Sequence, residues 1–431
     1  MAIVAAAAAR AAARSVRSMA ARSWGVTARA MSTSPEAGEY PGGVTLPFTT
    51  DMAFHDPADD DRIPVFRVMD ESGMLREGVE GFGEDREDVT NMYTTMLRIH
   101  QLDTIFYEAQ RQGRISFYMT ANGEESIHVG AALGFNNDDP VYAQYREAGL
   151  LLMRGFTLQQ FADQCCSNED DGGKGRQMPV HYGSPEHHFY TISSPLTTQL
   201  PQAAGTGYAM KMEGKGRCCA VFFGEGAASE GDFHAGMNFA STLEAPVVFF
   251  CRNNGYAIST PVKDQYRGDG IASRAAGYGM PSIRVDGADV FAVREATRAA
   301  RDMAVAESRP VFVEAMAYRE GHHSTSDDST RYRSGDEIAH WRETSNPIGR
   351  LRRFMESKGW WDDEREKAAN KAERKAVLQA LTAAEKKPAP DMSELFSDVY
   401  AGEQPWHLAE QEVALRKHMA RHPEHYAGEG H

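Results

Sequence analysis

The sequence predicts an α/β fold: an open, mostly parallel sheet covered by helices on both faces, with an N-terminal arm and a C-terminal helical annex. Three observations carry this. Short, unbroken apolar runs recur at Cys219–Phe223, Val247–Cys251 and Val311–Ala315, each followed by glycine or polar residues, as strands buried on both faces require. Helical stretches rich in small residues alternate with such runs from about Ser116 to Ala317, the pattern of a layered parallel sheet. The 431 residues, 42% hydrophobic and 25% charged, suffice for one large or two ordinary cores and exclude disordered and collagen-like classes.

Taken in order, residues 1–33 read as a transit peptide. Arg10, Arg14, Arg17, Arg22 and Arg29 stand among Ala and Ser, with no Asp, Glu or Lys before Glu36, the composition of an organelle-targeting segment. Cleavage is expected near Met31 to Ser34. Setting those five positive charges aside from the net −15 leaves −20 on the remainder, a poor surface for nucleic-acid phosphates. Even the Ala-rich start is broken by Arg10 and Arg14, short of the roughly 18 apolar residues a membrane span needs. No nucleic acid and no membrane is therefore expected as a partner. Residues 34–90, with Pro, Gly and dense charge such as Asp59, Asp60, Asp61 and Arg62, predict an extended arm.

The main domain is expected over 91–345. It opens with Met96, Ile99, Leu102, Phe106 and Ala109 at helical spacing, stopping at Gly113. Residues 346–431 predict the helical annex, with charged helices over Arg350–Lys358 and Glu364–Lys387 and a break at Pro388 and Pro390. Cys165, Cys166, Cys218, Cys219 and Cys251 form two adjacent pairs and a single residue, without C-x-x-C. That set fits a reducing compartment better than a disulfide framework.

The most informative stretch is a strand (Cys218–Phe223), the turn Gly224-Glu225-Gly226, a helix from about Asp232 to Leu243, and a second strand ending in Asn253, Asn254 and Gly255. Parallel strands would bring Glu225 and Asn254 to one edge of the sheet, where open α/β folds bind ligands. A carboxylate, an amide oxygen and a nearby backbone carbonyl are hard donors suited to Mg²⁺ shared with phosphates. Gly224 and Gly226 allow close backbone approach to a diphosphate, and Arg252 stands beside it. A lone Gly-x-Gly is more often an ordinary turn, but the paired turn and Asn-Asn ends are more specific. There is no G-x-x-x-x-G-K-[ST], and the glycines of GEGAASEG do not space as G-x-G-x-x-G, which disfavours nucleotide triphosphatases and Rossmann dehydrogenases.

This Gly-Glu-Gly turn followed after 26 residues by Asn-Asn resembles the thiamine diphosphate motif. The words GRISFYMTANGEES, QYREAG, GKGRQMPVHYG, TISSPLTTQ, GEGAASEGD, CRNNGYAIST and YREGHHSTSDDSTRYRS resemble the alpha subunits of branched-chain 2-oxo acid dehydrogenases, from about Phe66 to the C-terminal region. Relatives acting on pyruvate typically have Asp where Glu225 stands.

The resemblance implies oxidative decarboxylation of the 2-oxo acids derived from Leu, Ile and Val, with acyl transfer to a lipoyl-bearing transacylase core. It implies thiamine diphosphate, Mg²⁺ and a structural K⁺ as cofactors. Glu225, Asn254 and the Tyr256 carbonyl would hold Mg²⁺; Tyr145, Arg146, Ser194, Leu196, Gly226, Ala227, Arg252 and His323 would contact the cofactor. Ser193, Pro195, Thr198 and Gln199 would form the K⁺ site. Phe117, Tyr145 and Leu196 would line the acyl pocket, His323 would be catalytic, and His322 structural. Ser324 and Ser334 match regulatory phosphorylation sites, which implies a kinase and a phosphatase. A beta subunit, in a tetramer of two alpha and two beta chains, and the mitochondrial matrix complete the expectation.

Composition alone makes the polar loop Gly321–Glu337, with its two histidines and six Ser and Thr residues, a candidate lid or switch. Three alternatives stay open from the sequence: the same chemistry on pyruvate, a non-catalytic scaffold, and a generic metal-dependent phosphate-binding module.

Overall fold

A computed structural model describes residues 37–40, 44–50, 52, 54–83 and 85–426. The expected targeting segment lies outside the described residues. The chain divides into two compact units, up to Asp60 and from Asp61 onward. In the first, strand β1 (Ala37–Tyr40) pairs antiparallel with β2 (Val44–Pro47), and every residue of β2 is exposed.

In the second unit, β3 (Val65–Phe66) leads into the long helix α1 (Arg86–Arg111). The Asp85 carboxylate caps that helix by accepting the N–H groups of Glu87 and Asp88, satisfying donors that a first turn leaves orphaned. Met92, Met96, Ile99, Leu102, Phe106 and Ala109 are all buried, as their spacing predicts. The helix starts before Met92 because its first turn is capped and solvent-facing, so no apolar pattern marks it.

The chain continues through α2 (Glu125–Gly134), β4 (Val141–Tyr142), α3 (Ala148–Met153), α4 (Leu158–Cys166), β5 (Phe189–Tyr190) and α5 (Gln199–Glu213). It then forms β6 (Cys219–Gly224), α6 (Gly231–Thr242), β7 (Val247–Asn253), the small hairpin β8 (Tyr256–Ala257) with β9 (Thr260–Pro261), and α7 (Val262–Gln265). Last come β10 (Ser282–Asp286), α8 (Val290–Glu307), β11 (Val311–Met316), α9 (Gly335–Thr344), α10 (Pro347–Ser357), α11 (Asp363–Ala384) and α12 (Trp406–Arg421).

Seven strands form one sheet in the order β3-β10-β11-β7-β6-β4-β5, and every pairing in it is parallel. The expected sheet class is found. Successive side chains of a strand point to opposite faces, and the core divides accordingly. Cys219, Val221 and Phe223, Val247, Phe249 and Cys251, and Phe312 enter one cluster with α5 and α6. Ala220 and Phe222, Val248 and Phe250, and Val313 and Ala315 enter the other with α1, α2, α8, α10 and α11. Crossovers running one way along the sheet (β5 to β6, β6 to β7) carry their helices on the first face. Those running the other way (β4 to β5, β10 to β11) carry theirs on the second, as a single crossover hand demands.

Leu351, Phe354 and Met355 of α10 and Val377, Leu381 and Ala384 of α11 share the core of α1. Tyr93 donates to Glu366 at 2.8 Å and Arg98 pairs with Glu373 at 2.6 Å. Helix α12 buries none of its residues. No described helix is long and apolar enough to cross a membrane.

Candidate functional site

Because the sheet is parallel, the C-terminal ends of β4, β6 and β7 open onto one edge, the position where such sheets bind ligands. There Gln144, Tyr145 and Arg146 after β4, Gly224 to Ala227 after β6, and Arg252, Asn254 and Tyr256 to Ile258 after β7 line a cavity of about 420 Å³ with Ser194, Leu196, Glu230 and His323. Of the residues expected to hold Mg²⁺ or contact the cofactor, all line this cavity. Phe117, expected in the acyl pocket, does not line it and packs partly buried against the main core. Ser193, Pro195, Thr198 and Gln199 lie in the adjoining loop and helix start: Thr198 Oγ1 donates to the Pro195 carbonyl at 3.3 Å, and Gln199 Nε2 to that of Phe222 at 3.0 Å. The hydroxyl of Thr197, between them, is buried without a partner.

Glu225 is 2% exposed. Burial pushes its carboxyl above the usual range, and among the described residues it makes no ion pair. Its neighbours are weak dipoles, the Asn254 N–H and the Gln265 amide, both at 3.4 Å. Gly255 has φ +89°, a left-handed turn that suits glycine and swings Tyr256 back beside Asn254. The two asparagines part company: Asn253 donates to Glu314 at 2.9 Å and to Tyr266 at 3.1 Å, while Asn254 lines the cavity.

Arg252 is 1% exposed, its Nη1 pairing with Glu124 at 2.7 Å and its Nε with Glu147. Sequence reasoning gave these two carboxylates no role, although both stand in the words that carried the resemblance. They differ in charge balance. Burial pushes Glu124 up, but Arg252 and Arg146 outweigh it and hold the carboxyl low. For Glu147 burial prevails over Arg252 and the pKa is raised.

Arg146 donates through Nη2 to the His323 carbonyl at 2.9 Å and contacts His323 Nδ1 at 3.2 Å, while Nη1 holds the Thr120 carbonyl. A guanidinium has donors only, so Nδ1 is the acceptor and the ring proton sits on Nε2. Burial, Arg146 and Arg319 push the imidazole down to about 3. His323 is a neutral donor at physiological pH. His181, another residue the sequence reading missed, supports Ser194: one ring nitrogen is 3.1 Å from the Pro179 carbonyl and must donate, so the other accepts the Ser194 hydroxyl at 2.6 Å.

The loop expected as a lid is ordered by polar contacts, which a count of its apolar residues does not register. Arg319 donates to the carbonyls of Tyr256 (3.3 Å) and Ile258 (2.7 Å) and to the Tyr332 hydroxyl (2.7 Å). Asp327 accepts the His323 N–H and the Tyr332 hydroxyl. His322 Nδ1 accepts the Ser329 N–H at 3.0 Å. Ser324 is 7% exposed. Ser334 caps α9 by accepting the Glu337 N–H at 3.1 Å, and Glu337 in turn accepts the Tyr256 hydroxyl at 2.7 Å.

A family model described as the dehydrogenase E1 component matches residues 93–393. The chain is 54% identical over 388 residues to the mitochondrial 2-oxoisovalerate dehydrogenase subunit alpha of Homo sapiens, covering 90% of this chain and 87% of that protein. It is 51% identical to subunit alpha 1 of Arabidopsis thaliana, covering 90% and 82%. Against the subunit alpha of Dictyostelium discoideum it is 53% identical over 365 residues, covering 84% and 82%.

Proposed function

The chain belongs to the dehydrogenase E1 component family, and from that premise we propose that it is the alpha subunit of a mitochondrial branched-chain 2-oxo acid dehydrogenase. It takes part in decarboxylating the 2-oxo acids of Leu, Ile and Val with thiamine diphosphate, and passes the acyl group to the lipoyl arm of a transacylase. The single observation that supports this best is the convergence of Glu225, Asn254 and Tyr256 with Arg146 and His323 on one cavity at the sheet's C-terminal edge.

The donor set fits Mg²⁺. Glu225 is a buried carboxylate that makes no ion pair among the described residues, and the Asn254 amide and Tyr256 carbonyl are further hard oxygens, which leaves room for diphosphate oxygens. Gly226 and Ala227 follow directly and would meet that diphosphate. Arg252, held by two carboxylates, acts more as a buried anchor than as a free counter-charge; Arg146 and the metal carry more of the neutralisation. The cofactor, when bound, supplies the electron sink for decarboxylation. The chain's own part is to orient and to hold protons in place. Arg146 fixes His323 as the Nε2–H tautomer, so the ring offers a hydrogen bond to an oxygen gaining negative charge. Tyr145 and Leu196, which line this cavity, would form the wall of the acyl pocket together with Phe117.

The oxygen-rich loop 193–199, with the Thr197 hydroxyl buried and unpartnered, supports a K⁺ site of Ser193, Pro195, Thr198 and Gln199. Phosphorylation at Ser324 by a kinase, reversed by a phosphatase, would place about two negative charges beside His323 and disorder the loop. Ser334 would be the second such site. A beta subunit would complete the active site in a tetramer of two alpha and two beta chains, reached after removal of residues 1–33 in the matrix.

The test is decarboxylation by the mature chain, alone and co-expressed with a beta subunit, with and without thiamine diphosphate and Mg²⁺, on 2-oxoisovalerate and pyruvate. Turnover of 2-oxoisovalerate only by the two-chain sample with both cofactors is expected. Preference for pyruvate, or no turnover by an assembled complex, overturns the reading.

A further inference from the structure

An asparagine offers a cation its oxygen or, flipped, its NH₂ group, and the two ends have nearly the same shape. Something must choose. Asn254 Nδ2 donates to Glu124 Oε1 at 2.8 Å, while Oδ1 lies on the side of Tyr256 and receives its N–H at 3.4 Å. Glu124 is fully buried, at the N-terminal boundary of α2, and its other oxygen is tied to Arg252 at 2.7 Å. We propose that Glu124 is a positioning residue for the metal, holding the Asn254 amide so that Oδ1 faces the space shared with Glu225 and the Tyr256 carbonyl.

An ionised carboxylate only accepts, so rotating the amide by half a turn would set Oδ1 against Glu124 Oε1 and replace a hydrogen bond by a repulsion between two oxygens. It would also point two N–H donors at the cation. The ion pair of Glu124 with Arg252 at 2.7 Å fixes the carboxylate in place and leaves its other oxygen to accept from Asn254. The inference rests on the Mg²⁺ reading above and adds a residue that does not itself touch the metal.

The experiment is Mn²⁺ binding, followed by electron paramagnetic resonance, to the thiamine diphosphate-loaded assembly with the beta subunit. Glu124→Gln is expected to weaken Mn²⁺ binding about 10- to 100-fold, the usual effect of losing a group that orients a ligand. The metal concentration for half-maximal activity should rise in step, while kcat at saturating metal changes much less. Glu147→Gln takes an equal charge from Arg252 without touching Asn254, and should bind Mn²⁺ nearly as the unaltered protein does.

The pair Glu124→Gln with Asn254→Asp reverses donor and acceptor across the same contact and offers the metal an oxygen in either orientation, so it should regain most of the lost affinity. Unchanged Mn²⁺ binding by Glu124→Gln, an equal loss in Glu147→Gln, or no recovery in the pair would overturn the role of Glu124 while leaving the metal site standing. Failure of the unaltered assembly to bind Mn²⁺ would instead overturn the metal reading, and this inference with it.

Discussion

His323 and His128 are both held neutral, for different reasons, and both make pH predictions. His323 is pushed down to about 3 by burial and by Arg146 and Arg319; His128 falls to about 3 chiefly by burial, with neither ring nitrogen partnered. Unfolded histidines titrate near ~6.5, so below that pH the unfolded chain binds protons that the folded chain refuses. Stability therefore falls as pH drops below about 6.5. His128→Leu is expected to flatten the slope of melting temperature against pH there, read by differential scanning fluorimetry. At the active site the parent should show no acid limb from His323 between about pH 5.5 and 8. Arg146→Gln removes a nearby positive charge, so it should raise that pKa toward the usual histidine value and bring a new ionisation into the pH profile of kcat. The meeting of Glu225 and Asn254 was legible in the sequence because each stands directly after a long buried strand, whereas Tyr145, Ser194, Leu196 and His323 were named through the resemblance alone. Glu124 and Glu147 were not legible, since they reach Arg252 from loops more than a hundred residues away in the chain.

Among the elements, the turn between β7 and β8 is under the tightest local constraint. Gly255→Ala puts a side chain where φ is +89°, a left-handed conformation that costs an L-residue about 1–2 kcal/mol. A lower melting temperature and weaker divalent-metal binding are expected together, because the same turn carries the Tyr256 carbonyl. Ser334→Ala removes the cap of α9, worth about 1 kcal/mol, and should speed amide exchange over residues 335–344 by mass spectrometry. The elements themselves were legible in proportion to their buried length. β6, β7 and β11 each bury five or more residues in a row and agree with the sequence within one or two residues at their ends. β3, β4 and β5 have two residues each, too few for any period to register. They exist because longer neighbours supply the hydrogen-bonding partners.

Across the larger unit, Asp286 joins three parts of the chain. At the end of β10 it accepts from Arg67 at 2.6 Å and from Arg350 of α10 at 2.7 Å. Arg350 is 1% exposed, so Asp286→Ala would strand a buried cation. A loss of about 3–5 kcal/mol in unfolding free energy is expected, read by guanidinium denaturation, and it should loosen α10 together with the segment before α1. None of this was visible in the sequence, where Asp286 and Arg350 are two charges among many. The width of the sheet has a further consequence for how the chain keeps company. Both of its outermost strands are two residues long, and the last is folded over by its own approach, where Ser184 and Phe189 exchange backbone hydrogen bonds. So little free backbone gives a stray strand almost nothing to copy. Partners that approach this seven-stranded sheet must then meet it side chain to side chain, on helices and loops, and its margins offer a fibril little to grow from.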